Sequence, residues 1–124
     1  MSQRSPTTHK GRIGEDATVE KLQSEGFFIV ARNYRKPFGE VDIIAQKKDL
    51  LIFVEVKLRT KKTIDLAELI RPSKQKKMFS VAKEFLSFHT KEELTYRFDV
   101  SLVTWELNNP IHIDYIPHAF SPND

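Results

Sequence analysis

The chain predicts a single α/β domain with the element order α-β-β-β-α-β-β, and three observations lead there. Two segments, Gly11 to Glu25 and Pro72 to Phe88, space their apolar residues as one face of a helix. The stretches around them are short, rich in Val, Ile and Phe, and bounded by Gly, Pro or Asn, as strands are. Lys47-Lys48-Asp49 separates two of these strands by a gap that suits a hairpin, so that pair is expected to run antiparallel.

In order, Met1 to Lys10 is polar and aperiodic and reads as a flexible arm. In the first helix Ile13, Ala17, Val19 and Leu22 form an apolar stripe, and Gly26 ends it. Phe27 to Arg32 reads as a strand, with Asn33 to Pro37 a basic loop after it. Phe38 to Gln46 and Leu50 to Leu58 are the two strands of the hairpin. Thr60 to Ile70 reads as a loop, and Pro72-Ser73 opens the second helix with Ser73 as its expected cap. Met78, Val81, Ala82, Phe85 and Leu86 are that helix's core face, with Lys74, Lys76, Lys77 and Lys83 around the rest. Arg97 to Leu107 alternates as a strand, and Ile111 to Ile116 reads as an edge strand after Asn108-Asn109-Pro110. The domain is therefore expected over 11–120, with 121–124 a tail.

The 124 residues are 40% hydrophobic and 30% charged, enough for one core and too few for two. With no cysteine, disulfides, thiolate zinc sites and cysteine nucleophiles are excluded, and a cytoplasmic setting is expected. No apolar run approaches the roughly 20 residues that span a bilayer, so no membrane insertion is expected. His9, His89, His112 and His118 lack zinc-ligand spacing, and Gly11-Arg12-Ile13-Gly14 lacks the Gly-Lys-Ser/Thr of a nucleotide-binding loop. Net charge is only +3, yet Lys57 to Lys83 holds nine Lys or Arg against two acidic residues. Such a stretch could hold a polyanion through Arg59, Lys61, Lys62, Lys74, Gln75 and Lys77; a solvated lysine-rich surface is the plainer alternative.

Chemistry is signalled by charges that interrupt apolar strands: Asp42 within Val41-Asp42-Ile43-Ile44-Ala45, and Glu55 after Leu50-Leu51-Ile52-Phe53-Val54 with Lys57 two positions on. A charge there is costly unless paired or bound to a cation. Strand alternation puts Glu40, Asp42 and Ile44 on one face, and Phe53, Glu55 and Lys57 on one face. If Gln46 faces Leu51, or Ala45 faces Leu50, Asp42 lies opposite or diagonal to Glu55, close enough for a shared divalent cation; an odd hairpin would separate them. Buried ion pairs with Lys57 or Arg59 are the structural alternative. Glu40 either adds to a second metal or pairs with Arg35 or Lys36.

Five motifs stand in one order from Gly11 to Phe120: Gly14-Glu15-Asp16, Gly39-Glu40-Val41-Asp42-Ile43-Ile44-Ala45, Phe53-Val54-Glu55-Val56-Lys57-Leu58-Arg59, Arg97-Phe98-Asp99-Val100 and Ala119-Phe120. In these the chain closely resembles the bacterial YraN family, which is similar to the PD-(D/E)XK nuclease superfamily and to archaeal Holliday-junction resolvases. The resemblance implies a restriction-endonuclease-like core, a mixed central β-sheet flanked by helices. It implies that Asp42 is the aspartate of the PD motif, that Glu55 and Lys57 are its E-x-K, and that Glu15 is the accompanying helix glutamate. Val41 replaces the proline of PD, and the loop after Arg59 lacks the glycine expected of relatives.

The activity implied is Mg2+- or Mn2+-dependent hydrolysis of DNA phosphodiesters, with a preference for branched DNA and a homodimer paired through an edge strand. Asp42 and Glu55 would be direct ligands with the Val56 carbonyl, Glu15 would bind through water, and Lys57 would orient the attacking water or neutralise charge on phosphorus. Gln75 or Lys74 resembles a position that contacts the site in related nucleases. Without the resemblance, Glu15 reads as a surface residue. The alternative function is a catalytically silent nucleic-acid-binding or accessory protein with a nuclease fold.

Overall fold

The computed structural model describes residues 9–59, 70–89, 93–105 and 111–122. Helix α1 spans His9–Ser24, strands β1, β2 and β3 span Phe28–Lys36, Gly39–Lys47 and Leu50–Arg59, helix α2 spans Pro72–His89, and strands β4 and β5 span Thr95–Thr104 and His112–Phe120. They build one five-stranded sheet in the order β1-β2-β3-β4-β5. It is mixed: β3 and β4 are parallel and the other neighbours antiparallel. The parallel pair needs a crossover, and α2 supplies it.

Alternation along β3 assigns the helices to opposite faces. Leu51 and Phe53 pack in the larger core with Met78, Val81, Ala82 and Phe85 of α2, whereas Ile52 and Val54 pack with Val19 and Leu22 of α1. α1 lies close on its face because residue 14 is glycine. A β-carbon there would come within 3.0 Å of Leu58 Cδ2 and 3.4 Å of Val103 Cγ1. Buried Thr18 pins the helix further, donating to the Gly14 carbonyl at 2.9 Å and sharing a hydrogen bond with Ser101 Oγ on β4 at 2.8 Å.

The hairpin has even parity: Gln46 faces Leu51 and Lys47 faces Leu50, so only Lys48 and Asp49 form the turn. Several boundaries differ from expectation. α1 begins at His9, inside the expected arm, and 1–8 lie outside the described residues. β1 continues through the expected Asn33 to Pro37 loop as far as Lys36, because β2 offers partners for Tyr34, Arg35 and Lys36 and tertiary pairing overrides local polarity. Asn33 adapts with φ 52°, a left-handed conformation that asparagine tolerates.

Ser73 does not cap α2. The Arg71 carbonyl accepts the first helical bond, from Gln75 N at 3.0 Å, and Pro72 takes the first helical position, where a missing N–H costs nothing. β4 starts at Thr95 rather than Arg97; its expected end at Leu107 falls outside the described residues, as do 60–69 of the expected Thr60 to Ile70 loop. β5 runs past Ile116 to Phe120, and it tolerates Pro117 because it is an edge strand. The extension depends on Asp99, which is fully buried. Asp99 accepts hydrogen bonds from Arg97 Nε at 3.0 Å, Tyr115 Oη at 2.6 Å and the His118 backbone N–H at 2.9 Å. Those bonds span the register shift between Phe98 and Val100 and return Phe120 to pair with Phe98.

Candidate metal centre

β2 and β3 pair as far as Ile43 and Val54, and Asp42 and Glu55 are the next residues on the two strands, just beyond the paired ladder. Simple alternation does not describe Asp42. Val41 and Ile44 both pack on the α2 side while Ile43 and Ala45 pack on the α1 side, so the in-out order breaks between Val41 and Ile43. The expectation that Glu40, Asp42 and Ile44 form one plain row is corrected accordingly. At the break Asp42 Oδ2 accepts the Val56 backbone N–H at 2.8 Å, in place of a main-chain ladder bond. The strand that carries one carboxylate therefore aims the other.

Glu55 keeps its alternation and points to the α2 side, where Lys74 Nζ lies 3.8 Å from Oε1. That is an ion pair beyond hydrogen-bond reach. Glu55 Oε1 is buried and has no hydrogen-bond partner among the described residues. Burial, reinforced by the Asp42 charge, pushes the Glu55 carboxyl up to about 8. Burial also raises Asp42 above the ordinary carboxylate range, against the lowering effect of the Val56 N–H. Two part-buried carboxyls held above their usual range, one with an orphaned buried oxygen, form a site short of positive charge. A hard divalent cation matches that donor set.

The other candidates are placed differently. Glu15 is not a surface residue. It is 6% exposed, and its Oε1 accepts Arg32 Nη2 at 2.9 Å, Arg32 Nε at 3.2 Å and Asn33 Nδ2 at 2.9 Å. Its charge reaches Asp42 and contributes to that carboxyl's rise. Among the described residues no three His, Cys, Asp or Glu side chains stand in metal-holding geometry, so Glu15 does not join Asp42 and Glu55 as a preformed third ligand. Lys57 is exposed on β3, two positions beyond Glu55, and its charge acts on Glu55 less strongly than that of Lys74. Among the described residues, no ion pair joins Asp42 or Glu55 to Lys57 or Arg59; the cation paired with Glu55 is Lys74. Arg59 instead bonds Thr104 Oγ1 at 2.9 Å and pairs with Asp114.

Glu40 pairs with Arg35 at 3.2 Å, and Lys36 pairs with Glu84 at 3.1 Å. Half-buried Gln75 donates to the Ile70 carbonyl at 3.0 Å, anchoring the start of α2, while Lys77 is exposed one turn beyond Lys74. Lys61 and Lys62 lie outside the described residues. Sequence reasoning missed Arg32 and Asn33, the partners of Glu15. Arg32-Asn33 was legible only as a polar end to a strand, since nothing local says that a helix carboxylate will be laid against it.

A mixed sheet with a helix on each face, and an acidic pair where two strands part, defines an α/β core of the restriction-endonuclease-like kind. The chain matches the model of the uncharacterised protein family UPF0102, the YraN family, over residues 14–103, and it belongs to that family. A UPF0102 protein of Dictyoglomus thermophilum is 40% identical over 114 residues, 89% of this chain and 95% of its own length. Relatives from Treponema pallidum and a Synechococcus strain are 39% and 35% identical, covering 89% and 97% of this chain and 90% and 96% of their own. No helix among the described residues is long and apolar enough to cross a membrane.

Proposed function

We propose that the protein is a metal-dependent endonuclease that hydrolyses DNA phosphodiester bonds in the cytoplasm. The observation that carries this reading is the part-buried Asp42 and Glu55 pair with its buried, unpartnered Glu55 oxygen, flanked by Lys57 and Lys74. Asp42, Glu55 and the Val56 carbonyl would hold a Mg2+ or Mn2+ ion, the remaining positions being left to water and a substrate phosphate oxygen. When bound, the ion supplies positive charge to the phosphate and lowers the pKa of water. Lys57 and Lys74 place positive charge where the phosphate oxygens gain negative charge as a water oxygen bonds to phosphorus and the ester oxygen leaves. Val56 N–H holds Asp42 in place throughout. Glu15, clasped by Arg32 and Asn33, adds negative charge behind Asp42 and strengthens the demand for a cation.

Branched DNA as the preferred target and a homodimer joined through an edge strand follow from the similarity to resolvases; β1 and β5 are the two edges of the sheet. The test is incubation of the purified protein with Mg2+ or Mn2+ and single-stranded, duplex, flap and four-way DNA. Cleavage abolished by Asp42→Ala and Lys57→Ala is expected. No cleavage of any substrate, or cleavage unchanged in both variants, defeats the reading.

One observation favours a second reading, a nucleic-acid-binding accessory protein without activity: Glu15 Oε1 already accepts hydrogen bonds from Arg32 and Asn33, and no three-ligand cluster is preformed among the described residues. It predicts salt-sensitive DNA binding independent of divalent metal and of Glu55. Loss of binding on chelation would refute it.

A further inference from the structure

Phe38 is 45% exposed at the tip of the β1–β2 hairpin, where Lys36 pairs with Gly39 and only Pro37 and Phe38 make the turn. Turn tips are normally polar, and a large apolar ring there loses free energy to water unless it has a partner. Pro37 restricts the backbone just before it, so the ring is presented from a stiff support. Phe38 also leads directly into β2, the strand of Asp42. At about 3.3 Å per strand residue the two are roughly 13 Å apart along the strand, about four stacked nucleotides.

A basic path joins them. Lys74 lies against Glu55, and Lys77, one turn further along α2, lies against the hairpin tip: a β-carbon at Gly39 would come within 3.0 Å of Lys77 Cβ and 3.1 Å of the Lys77 carbonyl oxygen. Residues three apart on a helix share a face, so Lys74 and Lys77 form one row from the carboxylates to Phe38. Neither Lys76 nor Lys77 has a carboxylate partner among the described residues, whereas Arg35 and Lys36 are held by Glu40 and Glu84.

We propose that Phe38 is a stacking platform for an unpaired nucleobase, with Lys77 and Lys74 tracking the phosphates from that base to the acidic pair. A flat apolar ring beside Lys77, which has no carboxylate partner among the described residues, matches a single nucleic-acid strand, whose bases offer stacking faces and whose backbone is anionic. A paired duplex hides those faces. Phe38 thereby selects DNA with a base already out of its stack near the phosphate to be cut. This rests on the nucleic-acid side of the function proposed above.

The experiment measures binding in chelating buffer, using a duplex with a single-nucleotide 2-aminopurine bulge and the same duplex without the bulge. The wild-type protein should quench 2-aminopurine on binding. Phe38→Ala should remove the quench and weaken bulge binding about tenfold while moving duplex binding less than about twofold, and Phe38→Trp should restore both. Because Phe38 is exposed, both variants should keep the wild-type circular dichroism spectrum and melting temperature. An unchanged quench, an equal loss on both DNAs, or no DNA binding by the wild type overturns the proposal. Adding Mg2+ separates the two claims. Phe38-dependent binding without cleavage sinks the nuclease and leaves the platform, and cleavage indifferent to Phe38 does the reverse.

Discussion

The Val56 backbone N–H donates to the Asp42 carboxylate at 2.8 Å, so β3 holds in place the acidic residue that β2 supplies while itself presenting Glu55. The Asp42 carboxylate cannot shift without giving up its bond to β3.

Its acid–base behaviour has a definite sign. Glu55 is held at about 8 against an ordinary 4.5, so the fold favours its protonated form. Below pH 4.5 the carboxyl is neutral in folded and unfolded chains alike and that contribution is complete. As pH rises, the unfolded chain ionises first, and the contribution is lost progressively until the folded carboxyl ionises near 8. Asp42, also raised, adds to the same slope. Melting temperature in chelator should fall across this window, Glu55→Gln should flatten the fall, and saturating Mg2+ at pH 8 should recover stability. A Glu55→Gln protein with the wild-type slope would contradict the assignment.

Lys57 is exposed and needed by no described ion pair, so it is free to serve chemistry. Lys57→Ala should lower the cleavage rate by roughly 100- to 1000-fold while leaving the DNA dissociation constant within about threefold. Single-turnover kinetics beside a binding titration separate the two quantities. An equal loss in both would make Lys57 a binding residue only.

Arg32 neutralises Glu15 with two hydrogen bonds, and Asn33 adds a third. Arg32→Ala leaves the buried carboxylate with Asn33 alone and should cost about 1–3 kcal/mol in urea denaturation. Glu15→Gln combined with Arg32→Ala should cost less than the sum of the single changes, since the residues interact directly. Strict additivity would show that the pair is not coupled.

Asp99 ties Arg97, Tyr115 and the His118 amide into one buried cluster. Asp99→Ala strands those donors and should destabilise by about 3–5 kcal/mol, with Asp99→Asn milder. Amide exchange at His118 should accelerate in both variants. Exchange unchanged from wild type would show that Asp99 does not hold the end of β5.

Much of this was legible one residue at a time. The apolar stripes of α1 and α2, the β2–β3 hairpin, and acidic residues set into apolar runs are local or periodic signals that survive folding, although Lys47, read as part of the connection, pairs with Leu50 and leaves only Lys48 and Asp49 as the turn. Val41-Asp42-Ile43 shows the limit. Period two predicts a plain alternation there, yet the strand turns so that Val41 reaches the α2 core and Asp42 reaches Val56 N–H. Asn33 to Lys36 looked like a loop because its polarity is local, whereas its pairing to β2 is not.

By itself the sequence determined the order of elements, the condition of an even hairpin under which Asp42 lies beside Glu55, and membership of a family whose motifs run nearly the length of the chain. Only the tertiary structure decided that Glu15 is buried and clasped by Arg32 and Asn33, that Lys74 rather than Lys57 lies nearest Glu55, and that Phe38 stands exposed at the end of a lysine row. The reason is physical. Periodicity and spacing are properties of a strand or helix alone, whereas burial, cross-sheet partners and the reach of a helix side chain depend on how closely the layers approach, which here turns on residues such as Gly14 and Gly39, whose neighbours across the layers no local pattern names.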